Sequence, residues 1–159
     1  MGYCNEVTII IEAKEDRTFT LLRNGVVDEN LRKVHGLDEP TKEEEKWAMF
    51  LGEVAVNPET ELAWREICSD ISEGCNGFGD TLELDKEKRR ITIDFAIVKW
   101  DEAWDNINSY MALFHSVKPY EDYIDAIYLR VGEDLEDMEE KIYGDGYNLA
   151  SIERSIKIN

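Results

Sequence analysis

The sequence predicts an α+β fold, a mostly antiparallel sheet with helices packed on one face. Three observations carry that expectation. Apolar residues alternate with period two in residues 6–13, 91–98 and 123–131, the spacing of strands with a buried face. In the stretches that open at Thr41, Pro58 and Asp101 they recur every three or four residues, which lines them along one side of a helix. The order is strand, helices, hairpin, helix, strands, and helices grouped in this way are segregated against an antiparallel sheet.

The first strand, residues 6–13, puts Val7, Ile9, Ile11 and Ala13 on one face. Ile10 makes the other face apolar as well, which places the strand centrally. Residues 18–27 fit either a helix or a second strand turning at Asn24-Gly25, a good hairpin dipeptide. Gly36 and Pro40 end whichever forms. Thr41-Lys42-Glu43-Glu44 has the form of a capping box, with Thr41 as N-cap and Glu44 three residues on. Trp47, Phe50 and Leu51 fall on one side of the helix that follows. Asn57 and Pro58 open another helix as N-cap and first helical residue. Leu62, Ala63, Ile67 and Ile71 stripe it, with Trp64 beside them, and Gly74 and Gly77 stop it. These two helices form an insertion at about 41–73 in a single domain spanning 1–159.

After the glycine loop 74–79 the period returns to two. Residues 81–84 and 91–98 flank the polar connection 85–89 as a hairpin, with Ile91, Ile93, Phe95 and Ile97 on one face. Asp101 then caps a helix carrying Trp104, Ile107, Met111 and Phe114, and Lys118-Pro119 ends it. Ile127, Leu129 and Val131 alternate in the next strand. Ile127 and Leu129 are expected to join Val7, Ile9, Ile11, Ile93, Phe95 and Ile97 in one core under Trp104, Ile107 and Met111. Short strands near Glu139–Tyr143 and Ile152–Ile158 close the chain. A split strand-helix-strand plan of ferredoxin type fits this order.

Charge sets the chemical character. The chain has 36 acidic and 18 basic residues, net −18 in 159 residues, yet 43% of it is hydrophobic and 10% aromatic. That composition is globular. Self-repulsion on this scale costs stability, so either a function or plain solubilising (halophilic) acidity accounts for it. Such a surface repels phosphate, which argues against direct nucleic-acid or anionic-membrane binding and for basic partners. Cys4, Cys68 and Cys75 are odd in number, and no secretory signal or long apolar run is present. The expectation is a soluble, reduced, cytoplasmic protein.

No catalytic signature is found. His35 and His115 are far apart in sequence, and His115 falls at a helix end where the dipole favours a cation. Cys68 and Cys75 lack the further ligands of a zinc site. Gly74, Gly77 and Gly79 do not have dinucleotide-loop spacing, and there is neither a Walker loop nor a nucleophile elbow. Glu133, Asp134, Glu136 and Asp137 have the chemistry to hold calcium or magnesium, but not the spacing of an EF-hand loop; a solvated acidic face explains them better. The expectation is no enzyme, no cofactor and no metal.

After a strand come Lys99-Trp100-Asp101-Glu102-Ala103-Trp104 and a helix, then Leu129-Arg130-Val131-Gly132-Glu133-Asp134 and an acid-rich hairpin with Gly144 and Gly146. This succession resembles the YubB ferredoxin-like family of small phage and plasmid proteins. Cys4-Asn5-Glu6-Val7-Thr8-Ile9 is similar to that family's start. The resemblance covers roughly half the chain, and residues 14–75 depart from it into a longer, more acidic helical insertion. It implies a fold and a mobile-element setting in a bacterial host, and it supplies no catalytic residues.

Between Asp101 and Asp145 stand thirteen acids and three bases, an excess of ten in a chain whose net charge is −18. If the helix opening at Asp101 and the hairpin at Glu133 share a face, their carboxylates form a band spaced at roughly 5–7 Å. Duplex DNA carries a charge per roughly 1.7 Å of axis, so such a band suits a phosphate-binding cleft. The reading is a DNA mimic that blocks a host defence nuclease, CRISPR or restriction. Glu133, Asp134, Glu136, Asp137, Glu139 and Glu140 would face its Lys and Arg, with Trp100, Asp101 and Tyr143 as further contacts. An immunity protein or antitoxin neutralising a basic toxin is the same act on another partner. A carboxylate-dependent enzyme is the third reading.

Overall fold

The computed structural model describes residues 4–23, 29–54, 78–101, 103, 105–134, 136–152 and 156–159. Strand β1 (Asn5–Ala13) lies in the middle of a five-stranded sheet. Its neighbours are β3 (Arg90–Val98) and β4 (Ile124–Gly132), with β2 (Phe78–Asp85) and β5 (Met138–Tyr143) at the edges. Every neighbouring pair is antiparallel. A ferredoxin-type plan has four strands; here β5 adds a fifth beside β4. Four helices, α1 (Asp16–Arg23), α2 (Glu29–Val34), α3 (Lys42–Val54) and α4 (Asp105–Ser116), complete the α+β architecture among the described residues.

The main core lies between the sheet and these helices. Val7, Ile9, Ile11, Ile91, Ile93 and Phe95 meet Phe19 and Leu22 of α1, Leu31 of α2, Trp47 of α3, and Ile107, Met111 and Phe114 of α4. Both apolar faces of β1 are buried, as its composition requires. Trp64, Trp104 and the expected helix from Pro58 lie outside the described residues, as do the side chains of Phe50 and Leu51.

The single core expected from the pattern is in fact two. Cross-strand partners in a pleated sheet share a face. Ile127 sits opposite Ile10 and Leu129 opposite Thr8, whereas Ala126 and Tyr128 sit opposite Ile11 and Ile9. Ile127 and Leu129 therefore join Ile10 on the far side of the sheet, under Leu149 and Ala150. The cover there is a 3₁₀ turn at Gly146–Asn148 and a small hairpin of β6 (Ala150–Ile152) and β7 (Ile156–Ile158). The last expected strand is thus two strands. Ile97 also departs from its assigned face and is 49% exposed. Asn5 pairs with Val98 but Val7 with Phe95, so β3 carries one extra residue in a bulge. That residue reverses the alternation, turning Ile97 outward and Val98 inward.

Other local outcomes follow from backbone chemistry. Residues 16–23 form helix α1 instead of the alternative strand; Asn24-Gly25 lies outside the described residues. Gly36, at φ +71°, ends α2 in a Schellman motif, its N–H donating to Lys33 O and that of Leu37 to Arg32 O. Thr41 caps α3 as expected, its Oγ1 accepting the Glu44 N–H at 3.3 Å. Strand β2 begins at Phe78, inside the expected glycine loop.

Candidate functional site

Antiparallel pairing brings separate acidic stretches to one end of the sheet. Asn5 pairs both with Val98, at the end of β3, and with Gly132, at the end of β4. Trp100 and Asp101 follow β3, and Glu133, Asp134, Glu136 and Asp137 follow β4, so all six sit at that end. Trp100, Asp101 and Glu139 line one pocket of about 360 Å³ with Tyr128 and Arg130. The half-buried Trp100 ring lies 6.1 Å from Phe95 and 6.3 Å from Tyr128, anchored to the main core. Lys141 Nζ stands 5.7 Å from the Tyr128 ring centroid, a cation held over that ring.

Asp101 does not cap the helix. Its carboxylate accepts the Ala103 N–H at 2.9 Å, closing a turn two residues long, and α4 begins only at Asp105. An Asx turn of this kind competes with the N-cap geometry for the same side chain. Asp101 stays exposed as a result.

The hairpin acids differ in what they do. Asp137 binds Arg130 in a bidentate pair at 2.9 and 3.1 Å, and Arg130 also donates to Asn5 Oδ1 at 2.9 Å. The Asp137 hydrogen bond holds the guanidinium above its usual value, so this pair is a pin at the strand end. Glu133 accepts the Cys4 N–H at 2.9 Å and ties the start of the described chain to the turn. Asp134 accepts the Glu136 N–H at 3.1 Å and shapes the tip. Asp134 and Glu136 are both exposed. Glu139 faces Arg130 across the strands and lies 4.0 Å from Lys141. Glu140, opposite Leu129, points to the other face of the sheet. Tyr143 is at the far end of β5, about 17 Å along the strand from Met138.

Tyr143 belongs to a second constellation that sequence reasoning missed. Its hydroxyl lies 2.6 Å from His115 Nδ1, at the end of a groove between α3 and α4. Two adjoining cavities of about 340 and 320 Å³ share Glu43 and His115 as lining residues. Lys42 and Lys46 line the first and Lys118 the second. Burial pushes the Tyr143 phenol up, and Glu121 and Glu43 add to it. The signal available beforehand was the Lys42/Lys46 spacing of four, one helical turn.

A buried ion pair also went unforeseen. Glu44, 3% exposed, accepts from Arg32 Nη2 at 2.8 Å and from the Tyr120 hydroxyl at 2.9 Å. Burial would lower the Arg32 pKa, but its hydrogen bond to Glu44 and the charge there leave it raised. Among the described residues no cluster of three or more His, Cys, Asp or Glu is placed to hold a metal ion. No helix there is long and apolar enough to cross a membrane. Cys4 is half-buried, while Cys68 and Cys75 lie outside the described residues.

No family model, curated protein or solved structure matches this chain, so the resemblance to the YubB family rests on the quoted residues alone.

Proposed function

We propose that this protein is an acidic binding protein that occupies a basic, nucleic-acid-binding surface of another protein, acting as a DNA mimic. A bacterial defence nuclease is the class of target that the resemblance suggests. The observation that carries this reading is the gathering of Asp101, Asp134, Glu136 and Glu139 with the Trp100 ring at one end of the sheet. The Trp100 pocket, lined by Asp101 and Glu139, suits a guanidinium or ammonium group from the partner. The tip acids Asp134 and Glu136 extend the same charge outwards. Arg130 does not oppose it, because Asp137 neutralises it at 2.9 Å. Glu140 and Tyr143 contribute to this surface least, given their placement.

The test begins with capture of partners from a bacterial lysate at low salt, then measures association rates of the captured protein. Reversal of Asp134, Glu136 and Glu139 to lysine is compared with reversal of Asp38, Glu39 and Glu45, exposed acids elsewhere. The two variants change net charge equally. The hairpin variant should associate more slowly than the control, and added duplex DNA should compete with the wild type. Equal loss in both variants, or simultaneous binding of DNA and this protein to the target, refutes the reading.

A further inference from the structure

The groove between α3 and α4 inverts the charge of the molecule around it. In a chain of net −18, its two cavities are lined by Lys42, Lys46 and Lys118 against the single carboxylate of Glu43. Lys42 and Lys46 stand one turn apart on α3, so both ammonium groups project from one wall. The opposite wall is the face of α4 formed by Asn108, Met111, Ala112 and His115, with Met111 and Ala112 nearly fully buried. Each cavity, at about 340 and 320 Å³, is of the size that holds a small ligand.

We propose that this groove is a binding site for a small oxyanion, a phosphate or carboxylate group, held by Lys42, Lys46 and Lys118 beside His115. Tyr143 fixes the orientation of the imidazole, its hydroxyl lying 2.6 Å from Nδ1 in a hydrogen bond. Lysine ammonium groups beside the apolar floor of Met111 and Ala112 give an anion charge-assisted hydrogen bonds. The site uses none of the residues at the hairpin end, so it stands or falls independently of the partner surface proposed above.

His115 and His35 are the only histidines in the chain, which makes ring-labelled histidine a direct probe. His35 packs against Tyr120 and Tyr123 and lines neither cavity, so it serves as the internal control. The full chain is titrated with inorganic phosphate at constant ionic strength, and separately with succinate, while the ring resonances are followed by NMR. A saturable shift of His115 with His35 unmoved is expected for at least one of the two. The better binder identifies the source of the oxyanion. Lys42→Glu with Lys46→Glu, both at exposed positions, should weaken that midpoint about tenfold or more. Three results overturn the proposal: a shift that never saturates with either anion, equal movement of both histidines, or an unchanged midpoint in the double variant.

Discussion

Replacing Arg32 by methionine tests the buried ion pair that joins α2 to α3. The Arg32 and Glu44 side chains are 10% and 3% exposed and 2.8 Å apart. Removing the cation while leaving the carboxylate buried costs about 3–5 kcal/mol, because no water replaces the lost partner. The Tyr120 hydroxyl still donates to Glu44 Oε1 at 2.9 Å, which puts the expectation near the lower end, about 3 kcal/mol. Urea unfolding followed by tryptophan fluorescence gives the difference directly. Replacing Glu44 by leucine as well should recover most of the loss, since apolar groups of similar volume tolerate such a site. A loss below about 1 kcal/mol, the range of exposed pairs, refutes the argument, as does a double variant no more stable than Arg32→Met alone.

Two further outcomes follow from the core. Phe95 is fully buried against Trp100, so Phe95→Ala should cost about 3–5 kcal/mol; an unchanged melting temperature would mean that the strand faces solvent. Tyr120 is pushed from 10.0 up to about 12, first by burial and then by its hydrogen bond to Glu44. Its neutral form is favoured by folding, so the stability it contributes is present below the unfolded value of 10.0 and lost as pH climbs towards about 12. Denaturant titrations across that window should show a fall in the wild type that is smaller in Tyr120→Phe. Equal slopes would refute the assignment.

The elements with strong periodicity were legible without coordinates. The apolar faces of residues 7–13 and 91–95, the Thr41 cap and the Ile107–Met111–Phe114 stripe depend on local backbone geometry and the hydrophobic effect, which act over a few residues. The acidic excess between Asp101 and Asp145 is a property of composition and needed no structure. Which face each strand presents was decided elsewhere. Ile127 and Leu129 have the same alternation as a strand facing the helices; pairing with β1 turned them to the other side, where β6 and β7 cover them. One bulged residue in β3 reversed Ile97, and no propensity marks that position. The acids illustrate the same limit. Neighbours in sequence on a strand point to opposite faces, so Glu139 and Glu140 separated, while Asp137 was claimed by Arg130 seven residues away. Trp100 and Glu139 share a pocket because β1 aligns the ends of β3 and β4. Likewise Lys42, His115 and Tyr143 line one groove although they come from α3, α4 and β5. Composition and period therefore determined this protein's charge and its strands and helices. Long-range pairing decided which side chains meet, because a contact between distant residues depends on register and packing that no local stretch contains.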